Sequence, residues 1–175
     1  MGWASKICRA AGERDTLREL KAQPLTPECI AQAYPLVQAT FPKVSLDDWM
    51  SFARALVLHR DRPETGIISI VSEQGYIAGL SSYRVDHSLI HGQSLTAEHF
   101  IAIDMFDRRA VVHALAEAVE ALAHEHRCRA VHMNLLEKNS ASDKDGMAST
   151  LTQRGHRVEA VRLCKVLPTT VENKN

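Results

Sequence analysis

An excess of charge of either sign is missing from this chain. Its 175 residues include 21 Lys and Arg and 21 Asp and Glu side chains, which cancel to a formal net charge of zero. A surface that neutralises many phosphates would leave a surplus of basic residues. We therefore expect no nucleic acid among its partners.

Long hydrophobic runs are missing as well. The longest mostly apolar stretches, such as Ile67 to Val71, have the length of a β-strand and fall far short of the roughly 20 residues that a membrane-spanning helix requires. The start of the chain, Met1 to Lys6, has no apolar stretch of the kind found in signal peptides. These absences predict a soluble, cytoplasmic protein with no membrane partner.

Paired cysteines are the third absence. The four cysteines, Cys8, Cys29, Cys128 and Cys164, form no CxxC pair and show no regular spacing. A chain of this length buries a sufficient core without disulfide bonds. We expect free thiols in a reducing compartment, and we expect Cys164, in the middle of a predicted strand, to be a core thiol.

The residues that are present describe one globular domain. Hydrophobic residues make up 45% of the chain and charged residues 24%, which is typical of a single folded domain of this length. We predict an N-terminal arm at 1–16, a domain at 17–167 and a C-terminal tail at 168–175.

Turn, cap and periodicity signals divide this domain into strands and helices. Helix starts are marked by Thr26 before Pro27 and by Ser45, and Pro35 predicts a break within the first helix. The predicted strands are 17–22, 66–71, 76–85, 99–105, 129–136 and 159–167, the predicted helices are 26–40, 45–59, 109–126 and 147–153, and 86–96 is a predicted loop. This order implies an α/β fold with a mixed sheet, of the α+β kind.

Two local motifs carry a resemblance to a known family. The hairpin Gln74-Gly75-Tyr76-Ile77-Ala78-Gly79 and the segment from Ile101 to Leu115 are similar to the aliphatic-x-Gly hairpin and the acyl-CoA motif of the GNAT superfamily of N-acyltransferases. The resemblance covers about residues 17–167. It implies the GNAT fold, acetyl-CoA or another acyl-CoA as co-substrate, and a small-molecule or protein amine as acceptor. It leaves open whether two copies assemble as a homodimer.

The cofactor site that the resemblance implies lies at the start of the long helix. The corresponding GNAT loop reads Arg/Gln-x-x-Gly-x-Gly/Ala, and its backbone NH groups hold the pyrophosphate of coenzyme A, because a helix N-terminus offers unpaired donors. This chain matches at Arg109 and Ala114 and has Val112 at the first glycine. The implied cofactor-binding residues are Met105, Arg109, Ala110, Val111, Val112, His113, Ala114 and Asn139.

Pyrophosphate binding at this site has one structural requirement, and the loop motif can also be aligned to the sequence in a second register. The main-chain donors of the turn must face solvent and must not be capped by side chains of the chain itself, and a turn that is capped or sealed off would argue against acyl transfer. A register that starts at Arg108 aligns the preceding strand better but places Val111 and His113 at the glycine positions. We therefore prefer the register that starts at Arg109.

Acyl transfer to an amine needs a proton acceptor and donors that polarise the thioester carbonyl. Glu98, His99 and Asp104 lie on or beside the predicted fourth strand, and Glu98 and Asp104 share one parity along it. We take Glu98 and Asp104 as the candidate catalytic residues, with a backbone amide near Met105 on the carbonyl. A solvated strand end is the simpler explanation of each acid.

The general acid of the family has no counterpart here. GNAT proteins commonly place a Tyr four residues before a Gly-Phe pair, and Gly155-His156 stands for that pair. The tyrosine position is therefore Leu151, and no Tyr follows Tyr83. Together with Val112, this leaves a second function open, a non-catalytic binding or regulatory module with the same fold.

Metal-ligating residue types occur without a metal-binding motif. His124-Glu125-His126 and Cys128 lie at the predicted end of the long helix, where cationic His stabilises the helix dipole. His87 and His91 fall in the predicted loop and have no third partner. We therefore predict no metal site.

Overall fold

Five strands and four helices make up the described part of the chain, which in the computed structural model covers residues 19–58, 63–103, 107–135 and 146–165. The strands are β1 (Leu20–Pro24), β2 (Thr65–Ser72), β3 (Ile77–Ser88), β4 (Gly92–Ala102) and β5 (Ala130–Met133). The helices are α1 (Tyr34–Thr40), α2 (Leu46–Val57), α3 (Arg108–Glu125) and α4 (Met147–Gln153).

The strands form one sheet in the order β1-β2-β3-β4-β5. The pairs from β1 to β4 are antiparallel, and β5 is parallel to β4. The chain between these two parallel strands contains α3, because parallel neighbours need a crossover connection. The arrangement confirms the predicted α/β fold with a mixed sheet.

Of the two predicted helix starts in the N-terminal half, the one at Ser45 is confirmed and the one at Thr26 is wrong, because the Thr26 side chain makes no cap hydrogen bond and a 3₁₀ turn follows it. Two 3₁₀ turns, Pro27–Cys29 and Ala31–Ala33, precede α1, and Pro35 lies in the first turn of α1, where its missing NH costs no hydrogen bond. The predicted break at this proline is confirmed. Ser45 caps α2 through a capping box with Asp48, in which the Ser45 hydroxyl accepts from the Asp48 NH at 3.1 Å.

The sheet is buried on both faces. On one face Ile68, Leu95 and Phe100 pack with buried residues of α3 and α4. On the other face Ile67 and Ile101 pack with buried residues of α1 and α2. In the described residues no helix has both the length and the apolar character needed to cross a bilayer.

Gly79 lets α3 approach β3 closely. A Cβ atom at this position would stand 2.8 Å from Cγ1 of Val111 and 3.2 Å from the carbonyl oxygen of Ile101. Non-bonded carbon atoms prefer about 3.5–4.0 Å, so a side chain does not fit here without movement. This contact gives a physical reason for the glycine of the aliphatic-x-Gly motif.

A β-bulge divides β4. Ser82 pairs with Glu98 and Leu80 pairs with Ile101, so two steps along β3 correspond to three steps along β4. The extra residue lies on β4, between Glu98 and Ile101.

The bulge changes which side chains of β4 face α3. Before it, Leu95 and Ala97 belong to the core under α3, and after it Phe100 and Ala102 do. The odd-numbered positions face α3 on one side of the bulge and the even-numbered positions on the other. Period-two counting along β4 therefore does not carry across the bulge. Asp104, which was predicted to share the parity of Glu98, lies outside the described residues.

The predicted loop at 86–96 is wrong. β3 continues to Ser88, β4 begins at Gly92, and these two residues pair with each other. Polar residues such as Asp86 have low intrinsic strand propensity. Pairing overrides that preference because Ser94 and Leu95 of the same hairpin are buried.

The predicted strand at 159–167 is wrong over its described part. Residues 156–165 have no regular secondary structure, and Val158, Val161 and Leu163 are exposed. Cys164 is exposed too, so the predicted core thiol is wrong. These residues have strand-forming side chains but no pairing partner among the described strands, and a strand needs one.

Candidate active site

The bulge in β4 creates a polar cluster. His99 has a φ angle of +52°, and a left-handed residue of this kind costs about 1–3 kcal/mol unless its surroundings hold it. The Glu98 carbonyl accepts hydrogen bonds from the hydroxyls of Ser81 at 2.9 Å and Ser82 at 3.2 Å. Both serines are buried, where polar groups need hydrogen-bond partners, and these bonds hold the carbonyl of Glu98 at the bulge.

The ring of His99 is enclosed by three side chains. The Ser82 hydroxyl lies 2.8 Å from Nδ1, and the rings of Phe52 and Phe41 pack edge-on at centroid distances of 5.1 and 6.0 Å. Burial lowers the pKa of His99 below its ordinary value, and the charge of Glu98 opposes part of that shift. The ring is therefore mostly neutral at neutral pH.

The tautomer of His99 depends on the single proton of the Ser82 hydroxyl. When that proton is donated to the Glu98 carbonyl, the Ser82 oxygen accepts from Nδ1–H of the ring. The lone pair then lies on Nε2. Nε2 has no hydrogen-bond partner within the described residues, so it can accept a proton from a bound molecule.

Glu98 lies next to this ring but has different partners. Its carboxylate accepts from Arg162 at 3.1 Å and from the side-chain amide of Asn134 at 3.2 Å. The Glu98 side chain is 23% exposed. The negative charge of Glu98 is therefore paired with the Arg162 guanidinium, which belongs to the C-terminal segment at residues 156–165.

The sheet divides into a fork beside these two residues. β5 pairs with β4 only from Ser94 to Ala97, and the last contact is the Asn134 NH, which donates to the Ala97 carbonyl at 2.9 Å. β4 continues to Ala102. The edge of β4 beyond Ala97 is therefore not paired with β5, and an extended ligand can bind there as an added strand does.

The start of α3 does not meet the predicted requirement at one amide. Asp107 is the N-cap residue, and its carboxylate accepts from the backbone NH of Ala110 at 2.9 Å. This donor is satisfied by a side chain of the chain itself, and the cap places a negative charge where an anion was predicted to bind. An anionic ligand would have to displace this carboxylate or bind beside it.

The valine at the predicted glycine position does not crowd the outer face of α3. Val112 is 2% exposed, and Val111 and Ala114 are 0% and 5% exposed. All three side chains point into the core under α3. Replacement of glycine by valine at this position is therefore explained by packing.

Two polar residues of the predicted cofactor site, Arg109 and His113, face α4. Arg109 donates to the side-chain oxygen of Gln153 at 2.6 Å. Nε2 of His113 lies 2.9 Å from a guanidinium nitrogen of Arg154. The structure thus places Arg109 and His113 between the two helices.

Three predicted site residues, Asp104, Met105 and Asn139, lie outside the described residues. Their roles as base, carbonyl-binding position and cofactor contact remain predictions. Leu151, at the family's tyrosine position, is 3% exposed and packs in the core under α3.

Comparison with known proteins identifies the fold of this chain. No protein-family model matches the sequence, and no curated protein matches it. A solved structure of the aminoglycoside N-acetyltransferase AAC(6')-Iy in complex with CoA matches at a TM-score of 0.67 and 14% identity, over 89% of this chain and 99% of that chain. The chain has the GNAT fold.

Other solved structures with the GNAT fold match over a similar extent. Glucosamine-6-phosphate N-acetyltransferase from Arabidopsis thaliana has a TM-score of 0.61 and 12% identity, over 85% of this chain and 99% of its own. Ribosomal-protein-alanine N-acetyltransferase from Brucella melitensis biovar Abortus 2308 has a TM-score of 0.60 and 12% identity, over 86% and 99%. Because the identities are this low, the likeness concerns the fold.

The sequence alone does not distinguish His99 from the acids Glu98 and Asp104 as the candidate base. The residue becomes prominent because the bulge turns it toward Phe41 and Phe52, which belong to distant parts of the chain. One signal was present in the sequence: the apolar alternation of β4 changes phase between Ala97 and Phe100. Such a phase change inside a strand indicates a bulge.

Proposed function

We propose that this protein is an acyl-CoA-dependent N-acyltransferase of the acetyltransferase type, acting on an amine. The observation that carries the proposal is the fork between β4 and β5 next to the neutral ring of His99. At the fork, the unpaired edge of β4 offers main-chain hydrogen-bonding groups to an extended acyl-pantetheine chain. The ring of His99 offers a proton acceptor near the end of that chain. The GNAT fold, shared with N-acetyltransferases in complex with CoA, supports this assignment.

The proposed chemistry uses few side chains. The thioester lies along β4 beyond Ala97, and the amine approaches past Phe41 and Phe52. Nε2 of His99 accepts the amine proton as the new N–C bond forms and the C–S bond breaks. The thiolate leaves and takes its proton from solvent, because a buried leucine, Leu151, stands at the tyrosine position.

Glu98 has a positioning role in this proposal. Its carboxylate is paired with Arg162 and Asn134, and its main-chain carbonyl fixes the Ser82 hydroxyl that orients the ring. It therefore acts through His99. Its predicted role as the base, like that of Asp104, remains the alternative.

The pyrophosphate of the co-substrate is proposed to bind at the start of α3. Arg108 and Arg109 bring two positive charges to this turn, and Arg108 also donates to the Ala102 carbonyl at 3.1 Å, which holds the end of β4. The Asp107 carboxylate opposes binding because it carries the same sign of charge as the ligand. Binding there is thus weaker than at an uncapped helix start.

Calorimetry with coenzyme A, acetyl-CoA and longer acyl-CoAs tests co-substrate binding. The variant Asp107→Ser keeps a capping hydroxyl and removes the charge, so we expect the Kd for coenzyme A to fall about two- to fivefold, the effect of one charge at a helix end. The matched control Asp47→Ser removes one exposed acid from α2 and should leave the Kd unchanged. If neither heat nor a thermal shift is seen with any acyl-CoA, the proposal is wrong.

Release of free thiol from acetyl-CoA across a panel of amines tests turnover. With an amine that reacts, His99→Gln should lower kcat by about 10²–10⁴-fold, the usual contribution of a general base, while the Kd for coenzyme A stays the same. The control His87→Gln replaces an exposed histidine of β3 and should have no effect. Equal turnover by His99→Gln and wild type would refute the role of this ring.

The capped start of α3 favours a second function, a non-catalytic module that keeps the GNAT fold for binding or regulation. The Asp107 carboxylate already satisfies the Ala110 amide, as it would in a helix that binds no anion. Tight coenzyme A binding combined with turnover on any amine would exclude this alternative.

A further inference from the structure

Three side chains from separate parts of the chain meet at the edge of the sheet. His91 belongs to the turn between β3 and β4, His132 to β5, and Glu159 to the C-terminal segment at 156–165. Nε2 of His91 lies 2.6 Å from one carboxylate oxygen of Glu159, and Nε2 of His132 lies 3.3 Å from the other. The three ligand atoms are all within 4.8 Å of one another, and no other such group of three occurs in the described residues.

The donor types match one class of metal ion. Two imidazole nitrogens and one carboxylate are a donor set that zinc and related divalent transition metals use, whereas calcium and magnesium prefer oxygen ligands. Zinc bonds of about 2.0–2.1 Å separate the ligands of a tetrahedral site by roughly 3.3 Å. His91 lies 2.6 Å from one oxygen of Glu159 and His132 lies 3.3 Å from the other, so the Glu159 carboxylate has to turn and move back from His91 by about 0.7 Å to present one oxygen to a shared ion.

The two histidines are held by the sheet. His132 pairs in register with Thr96 of β4, and the NH of His91 donates to the Ser88 hydroxyl at 3.3 Å. The rings lie 5.5 Å apart between centroids. The histidine side of the cluster is therefore preorganised on hydrogen-bonded backbone, which lowers the entropy cost of binding an ion.

The third ligand lies on a segment of a different kind. Residues 156–165 have no regular secondary structure, and Val158, Val161 and Leu163 are 83–93% exposed. The polar contacts of Glu159 with the two histidines attach this segment to the edge of β5. An ion shared by all three ligands would strengthen that attachment without any hydrophobic contact.

We propose that His91, His132 and Glu159 bind one divalent transition metal of the zinc class, with water in the remaining position. The ion fixes the segment at 156–165 against β5. The proposal does not depend on acyl transfer, because none of the three ligands takes part in the proposed chemistry.

Metal titration of the chelator-treated full chain tests the site. With Co²⁺, wild type should show the visible bands of a tetrahedral site at one equivalent, and Zn²⁺ should displace the cobalt while Mg²⁺ should not. His132→Ala and Glu159→Gln should each weaken metal binding by more than about tenfold. Loss of a residue that only hydrogen-bonds to a metal ligand already costs about tenfold or more, and these variants remove a ligand itself. Since both positions are at the surface, circular dichroism of the variants should match wild type.

The matched control is His124→Ala, which removes an exposed histidine at the end of α3. It should bind Co²⁺ as wild type does. The proposal would be overturned if Co²⁺ binding to wild type did not saturate. It would also be overturned if His132→Ala and Glu159→Gln bound Co²⁺ as wild type does. An intense near-ultraviolet thiolate band would overturn it as well, because that would place the ion on a cysteine.

Limited trypsin digestion tests the anchoring. Cleavage after Arg157 and Arg162 should slow when Zn²⁺ is added to wild type, and it should not slow in Glu159→Gln. Equal cleavage of wild type with and without Zn²⁺ would overturn the anchoring of the segment.

Discussion

Replacing Gly79 by alanine tests the contact that positions α3 over the sheet. The new Cβ would stand 2.8 Å from Cγ1 of Val111 and 3.2 Å from the carbonyl oxygen of Ile101. Val111 is fully buried, and a β-branched residue in a helix has essentially one rotamer, so its methyl group cannot turn away. Overpacking of this kind costs about 1–3 kcal/mol, a substantial part of the 5–15 kcal/mol that typically stabilises a domain.

Urea unfolding followed by circular dichroism measures this cost. With a slope of about 2 kcal/mol per M, a loss of 2 kcal/mol lowers the midpoint by about 1 M. Val111→Ala removes the clashing methyl, so we expect it to destabilise Gly79→Ala much less than it destabilises wild type.

The control for this cycle is Gly75→Ala. Gly75 has a φ angle of +83° and nothing within 4 Å of an added Cβ, so its cost is backbone strain of about 1–2 kcal/mol, and Val111→Ala should not relieve it. The close approach would be refuted if Gly79→Ala left the urea midpoint unchanged. It would also be refuted if Val111→Ala had the same effect in the Gly79→Ala and Gly75→Ala backgrounds.

Three further predictions concern the α1 and α2 side of the sheet. Phe52→Ala uncovers the ring of His99 and should raise its pKa toward the ordinary value, so the acid limb of a pH–rate profile moves to higher pH. Glu98→Gln removes a charge that raises this pKa, so the limb should move to lower pH; a common direction for both variants would contradict the assignment. Trp49→Phe leaves the carbonyl of Ile30 without its 2.7 Å bond and should lower stability to urea by about 1–3 kcal/mol, whereas an unchanged midpoint would show that the bond contributes nothing.

The free energy of unfolding should also change with pH as His99 titrates. Because burial lowers the pKa of His99 in the folded protein, the unfolded chain binds a proton first as the pH falls. Stability is therefore full above the ordinary histidine pKa and decreases as the pH drops from there to the lowered value. The variant His99→Gln should lack this part of the pH dependence of the urea midpoint, and a wild-type-like dependence would contradict it.

Local signals in the sequence predicted the elements that depend on neighbouring residues. The Ser45 cap, the break at Pro35 and the whole of α4 (Met147–Gln153) lie where caps, proline and propensity put them. Strands β2 and β5 also lie at the predicted places, but two stretches whose structure depends on distant residues, 86–96 and 159–165, were mispredicted. β3 and β4 extend through polar residues because each satisfies the backbone of the other, and 159–165 lacks such a partner.

The candidate site was harder to predict than the fold because it depends on a register shift. Period-two counting assumes an unbroken strand, and the extra residue between Glu98 and Ile101 breaks that assumption. The ring of His99 then meets Phe41 and Phe52, which come from 47 to 58 positions earlier in the chain. No local sequence pattern indicates a contact between residues that are so far apart in the chain.

The C-terminal segment joins the candidate active site to the proposed metal site. Glu159 contacts the two histidines, and three residues later Arg162 pairs with Glu98. Burial lowers the pKa of His99 most, and the positive charge of Arg162 lowers it further, against the opposing effect of Glu98. Release of the segment would remove Arg162 and leave Glu98 unopposed, so both changes raise this pKa. An ion that holds Glu159 would therefore keep the ring neutral at lower pH, through a charge carried on the same short piece of chain.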